Sequence, residues 1–199
     1  MNMRLLFVIA ILAWLYSLSV FKRARVPAAH FIFGSIGLFV LLLVLSRPYW
    51  VWFFTHLVVY GVQIFDKFTD MSQVYAKYAI VQILSATSTV SMTIDYECSG
   101  IIETSAFVAL TAFYPIYTRK QRLFLSLGGA LWIYGANVLR LILVIVLVHF
   151  NGSDFYFMAH TIIGRLFFYV LVIYLYYQTF TYSATTYSAT TYRDEKGGA

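Results

Sequence analysis

Three residue types that together perform acyl transfer stand at isolated positions in this chain: its single cysteine, Cys98 in "YECSG", Arg140 in "NVLR" and His160 in "HTIIG". A thiol is nucleophilic as the thiolate, and a neighbouring cation or histidine lowers its pKa from the usual value of about 8.5. Histidine titrates near neutral pH, so it can take the thiol proton and hand it to a departing amine. Arginine, always charged and rich in donors, suits the oxyanion of a tetrahedral intermediate or a substrate carbonyl. A lone cysteine at the head of an apolar helix is otherwise a packing residue. The chemistry therefore depends on whether the fold brings the three side chains together.

The composition says what kind of fold that must be. Of 199 residues, 61% are hydrophobic and only 11% charged, whereas soluble domains carry about a quarter charged residues. The chain is read as an integral membrane protein. Its net charge of +6 lies in short clusters beside apolar runs, at Lys22, Arg23 and Arg25 and at Arg119, Lys120 and Arg122; these are topology signals, and no nucleic acid is expected as a partner. One cysteine cannot form an internal disulfide, and the four histidines at 30, 56, 149 and 160 form no H-E-x-x-H or zinc-ligand pattern, so neither a metal nor a cofactor is expected.

A helix needs about 20 apolar residues to cross the hydrocarbon. Runs near that length at 5–21, 29–46, 49–65, 100–117, 123–149 and 160–180 predict an all-α polytopic fold of about six transmembrane helices. The first run follows Arg4 as a signal peptide would, but it ends in a basic cluster without an A-x-A site and is read as a retained helix. Residues 1–180 form the membrane domain. Segment 66–97 is an extracytoplasmic insertion whose β-prone stretches "YAIVQIL" and "TVSMTIDY" predict a small hairpin or an amphipathic interfacial piece. Residues 181–199, with a repeated Tyr-Ser-Ala-Thr-Thr, are a polar low-complexity tail, disordered or extending the last helix.

Positive charge favours the cytoplasmic side of short loops. That rule puts "TRKQR" at 118–122 inside, and Cys98, the 151–159 loop with its "NGS" sequon, and His160 outside. Three full spans at 29–46, 49–65 and 100–117 would then put the 22–25 cluster outside, against the rule. Either the aromatic 49–65 run lies in the interface or re-enters, or part of 73–93 crosses.

Polar groups inside spans are costly and tend to face the bundle interior. Glu103, Asn137, Arg140 and Arg165 are such groups. Arg140 lies roughly 14 Å below His149 by helical rise, within reach of an outer-leaflet pocket by snorkelling. Asn137 orients Arg140 or hydrogen-bonds across helices; Glu103 and Arg165 are read as supporting residues. Glu103 paired with Arg140 would instead neutralise both in lipid, and His149 is a rival to His160. Gly128, Gly129 and Gly135 are read as sites of close helix approach.

The ordered set "CSG" at 98–100, Pro115 with a basic loop behind it, "NVLR" at 137–140 and "HTIIG" at 160–164 resembles the exosortase/archaeosortase family of polytopic cysteine transpeptidases, over roughly residues 95–175. The resemblance implies a Cys98–Arg140–His160 triad, with Gly100, Glu103, Asn137, Gly164 and Arg165 around it. It also implies cleavage of an exported protein at a C-terminal sorting signal made of a short motif, an apolar helix and a basic cluster. The acyl group would pass through a thioester on Cys98 to an acceptor amine, on the extracytoplasmic side of a multi-pass protein in the cell membrane. The competing reading is a non-enzymatic transport or assembly subunit built on a Glu103–Arg140 pair.

Overall fold

The structure, a computed structural model, describes residues 3–46, 49–85, 89–94, 96 and 98–182. Its elements in chain order are helices α1 (Met3–Arg23), α2 (Pro27–Leu45) and α3 (Tyr49–Thr69), strands β1 (Ser72–Tyr75), β2 (Ile80–Leu84) and β3 (Thr89–Thr93), and helices α4 (Ile101–Phe113), α5 (Arg119–Asn151) and α6 (Gly164–Tyr176). Beyond residue 182, the tail expected at 181–199 lies outside the described residues. Four stretches are long and apolar enough to cross a membrane: Leu5–Arg23, Pro27–Leu45, Arg119–Asn151 and Ser153–Thr181, with Ile101–Phe113 a shorter apolar helix. The polytopic helical reading agrees with this architecture.

α5 organises the molecule. Its start is fixed by a capping box, in which Thr118 Oγ1 accepts from the Gln121 amide and Gln121 Oε1 accepts from the Thr118 amide. Arg122 then donates to the carbonyls of Ala112, Tyr114 and Tyr117, satisfying groups that the end of α4 leaves open. With 33 residues, α5 spans roughly 50 Å against a hydrocarbon layer of roughly 30 Å. Its two halves therefore meet different neighbours. The first half packs on α4 and α6 around Phe107, Ile133, Ala136, Phe168 and Val172. The second half carries Leu141, Val144, Ile145 and Val148 into a core shared with Val58, Val59 and Val62 of α3 and with the sheet.

The sheet is antiparallel in the order β1-β2-β3. The predicted hairpin is its β2–β3 half; Val81 pairs with Met92, and Val81, Ile83 and Met92 put one buried face on the core. β1 escapes notice in the sequence because its four residues, "SQVY", carry two polar groups and too little apolar alternation to read as a strand. It is held by Asp66, whose Oδ1 accepts from the Ser72 amide and hydroxyl at 3.0 and 2.8 Å. His149 Nδ1 meets the carbonyl of Leu84, pinning β2 to the end of α5.

The sequence leaves open how 49–65 and 73–93 sit relative to the membrane. α3 is a helix over 49–65 as expected, but it is not among the stretches long and apolar enough to span; it runs along α5, with Trp50 and Phe54 lining a cavity shared with Leu123 and Leu127, Tyr134 Oη donating to the Leu57 carbonyl at 3.2 Å, and its valines joining the core of the second half of α5. The strands Ser72–Tyr75, Ile80–Leu84 and Thr89–Thr93 form the sheet, and none of the described residues of 73–93 lies in an α-helix. The α1–α2 turn and the α4–α5 turn then lie at one end of the bundle, where Lys22, Arg25 and Arg122 line one cavity. Both basic clusters thus share a face, and the sheet lies at the other end of α5.

Of the three glycines read as points of close approach, only Gly129 is one. A Cβ there would stand 2.0 Å from the ring of Phe107, while at Gly128 or Gly135 it would meet nothing within 4 Å. Phe107 is fully buried and boxed in by Tyr176 and Phe180, so it has no room to withdraw. Gly129→Ala is expected to destabilise the protein by about 1–3 kcal/mol, seen as a lower unfolding midpoint in detergent. Gly128→Ala is expected to leave that midpoint unchanged or raise it slightly.

Candidate active site

Cys98 sits in the turn that precedes α4, in the sequence order Cys-Ser-Gly. Gly100 forms the N-cap of α4 at φ +72°, a left-handed conformation that glycine adopts without steric cost. Ser99 Oγ donates to the Tyr96 carbonyl at 2.7 Å and accepts from the Ile101 amide at 3.4 Å, closing the turn on itself. The turn directs the Cys98 carbonyl towards α5, where buried Asn137 Nδ2 donates to it at 2.6 Å. The thiol is thereby left on the side facing α6.

There Cys98 Sγ lies 3.7 Å from His160 Nε2 and 4.0 Å from an Arg140 Nη2 that is positioned to donate to it. His160 belongs to a π-helical turn, Met158–Ile163, that leads into α6; such turns recur at functional sites because they re-aim a side chain within a helix. Tyr156 stacks on the imidazole with centroids 5.5 Å apart. The Arg140 guanidinium lies 5.9 Å from the ring centroid of Phe168, a cation–π contact that compensates in part for burial of the charge. Close packing of α5 on α6 requires Gly164, where a Cβ would come within 2.9 Å of Val144 Cγ2 and 3.0 Å of the Ala159 carbonyl.

The positions predicted from the sequence divide into two groups. Cys98, Asn137, Arg140, His160, Gly100 and Gly164 converge. Glu103 is half-buried on α4 and Arg165 is exposed; neither makes one of these contacts to Sγ. Among the described residues, Arg140 hydrogen-bonds to Cys98 and forms no ion pair with Glu103. His149 is engaged with the Leu84 carbonyl at the sheet, whereas the thiol has His160 as its imidazole neighbour. Tyr156 and Phe168 escape sequence reasoning: they are ordinary aromatics of apolar helices, and only their spacing from His160, four before and eight after, hints at a shared face.

Two buried atoms of the cluster, Arg140 Nε and Asn137 Oδ1, have no hydrogen-bond partner among the described residues. The site thus holds a sulfur, an imidazole and a cation in contact, with a donor and an acceptor in reserve beside them. Among the described residues no group of His, Cys, Asp and Glu is arranged to hold a metal ion. A family model described as transmembrane exosortase matches residues 2–177. No curated protein and no solved structure matches.

Asn137→Ala removes the donor that anchors the Cys98 carbonyl and leaves that carbonyl without its side-chain partner. The expected cost is about 1–3 kcal/mol in unfolding free energy, measurable by denaturant titration in detergent micelles, together with an altered rate of Cys98 alkylation in the folded state.

Proposed function

We propose that this chain, which belongs to the transmembrane exosortase family, is a membrane-embedded cysteine transpeptidase that cleaves C-terminal sorting signals of exported proteins through a thioester on Cys98. The observation that carries this reading is the meeting of Cys98 Sγ with His160 Nε2 at 3.7 Å and Arg140 Nη2 at 4.0 Å. The three come from different elements, 42 and 62 residues from Cys98 along the chain. Packing alone gives no reason to gather a thiol, an imidazole and a buried cation.

In the first half of the reaction His160 Nε2 takes the thiol proton, and Sγ forms a bond to the carbonyl carbon of the substrate peptide. The electron pair of the C=O moves to oxygen, and Arg140 faces that oxyanion with its positive charge. Collapse of the intermediate breaks the C–N bond; the departing amine takes the proton held by His160, leaving a thioester. In the second half an acceptor amine attacks the thioester, gives its proton to His160, and expels the Cys98 thiolate. Arg140 stabilises that thiolate until His160 returns the proton to sulfur, which closes the cycle, and Tyr156 keeps the imidazole ring in plane. Asn137 acts as a positioning residue through the Cys98 carbonyl.

The basic turns at 22–25 and 118–122 share one end of the bundle, and the positive-inside rule makes that end cytoplasmic. The thiol lies near residue 140 of α5, about 30 Å along the helix from Arg119, which corresponds to the extracytoplasmic surface. A substrate exported across the membrane and still anchored by an apolar C-terminal helix would present its cleavage site at that level. α3, the sheet and the end of α5 form the wall above it.

Co-expression with a C-terminally anchored substrate tests the reading. Cys98→Ala and His160→Gln are each expected to lower processing at least about a thousandfold while expression persists, whereas His149→Gln retains processing and lowers only thermal stability. Unchanged processing by Cys98→Ala would remove the proposal.

A further inference from the structure

At the end of the bundle away from the thiol, a cavity of about 430 Å³ opens between the α1–α2 turn and the α4–α5 turn. Lys22, Arg25, His30 and Arg122 line it, and Phe21, Val26, Pro27, Phe113 and Pro115 complete its wall. No carboxylate occurs within residues 1–65, 104–153 or 155–182, which include the segments that build this end, and the tail offers Asp194 and Glu195 only beside Arg193 and Lys196. The chain itself therefore supplies no net counter-charge here. Arg122 is held by three backbone carbonyls, which fix its position and leave its full charge in place. Lys22 and Arg25 are exposed.

Arg25 has a further peculiarity. Its φ is +55°, a left-handed conformation in which most side chains are disfavoured and for which glycine is better suited. The tight turn between α1 and α2 needs that backbone angle, yet a long cation occupies the position and lines the cavity. His30 is fixed beside the cavity by its ring contact with Phe113, centroids 5.6 Å apart. The cavity wall thus combines cations with aromatic and proline side chains.

We propose that this cavity binds the phosphodiester headgroup of an anionic membrane phospholipid, with Lys22 and Arg25 as the direct phosphate donors and Arg122 as a fixed background charge. The Phe21, Phe113 and Pro27 faces receive the glycerol and the first methylenes of the acyl chains. Basic pockets between transmembrane helices on the cytoplasmic side recognise anionic headgroups in this way. Such a lipid bridges α1, which has few buried neighbours of its own, to the α4–α5 turn. This inference is independent of the transpeptidase reading.

The test is native mass spectrometry of the full-length protein in detergent, titrated with phosphatidylglycerol or phosphatidylcholine. At least tenfold tighter retention of phosphatidylglycerol is expected. The Lys22→Gln/Arg25→Gly double variant should bring the two lipids level; glycine at 25 suits the turn, and an unchanged unfolding midpoint checks the fold. Lys22→Gln alone, which leaves the turn untouched, should lower the preference at least threefold. Lys67→Gln/Lys77→Gln, at the other end of the molecule, should keep it. Equal retention of both lipids by the wild type, or an undiminished preference in the double variant, overturns the proposal. So does displacement of the lipid by an equal concentration of soluble glycerol phosphate, which would make the cavity a site for free phosphate.

Discussion

The hydrogen bond from Asn137 Nδ2 to the Cys98 carbonyl, 2.6 Å long and buried, is the constraint on which the geometry of the thiol depends. It fastens an irregular turn to α5, the longest of the described elements. A turn carries its own backbone strain and its own freedom; a side chain at its apex is only as well placed as the turn itself. By gripping the main chain of Cys98, α5 leaves the sulfur with the χ1 rotation alone. One helical turn further along the same face, Arg140 comes within 4.0 Å of that sulfur, so anchor and cation share one rigid scaffold. Preorganisation of this kind removes the cost of assembling charges when a reaction begins.

The length of α5 allows one helix to serve two environments. Its first half lies among helices whose outer faces are apolar, while its second half has an interior as closed as that of a small soluble domain, with Val144, Ile145 and Val148 fully buried. Cys98 joins that second core. The thiol thus lies where a lipid-facing bundle becomes a protein-walled cap, under the sheet that His149 secures.

Much of this was legible in the chain. The apolar runs, the β2–β3 hairpin and the three side chains that meet at the thiol could be read from spacing and residue type, because periodicity and polar exceptions within spans are local signals. What escaped was long-range. "YWVWFFTHLVVYGVQIF" has the length of a span, and only its packing on α5 shows that its valines serve the upper core. Gly128 and Gly129 are adjacent and chemically identical, and which of them meets Phe107 depends on the rotation of α5 about its axis. The Glu103–Arg140 pair was reasonable by charge and depth, but a helix directs side chains by angle as well as by height, and Arg140 is turned to the sulfur.

The π-helical turn at Met158–Ile163 carries a consequence for how this chain can vary. A wide turn holds one residue more than ordinary winding would, so deleting a single residue from it restores the regular helix with the flanking segments in nearly their former orientation and re-aims the side chains within the turn itself. His160 lies inside that turn, so its ring would be re-aimed while Gly164 and Phe168 remained packed on α5. Point substitutions within the turn are far gentler than that. In this segment the number of residues itself sets where His160 points, and insertions and deletions disturb that placement more than changes of side chain do.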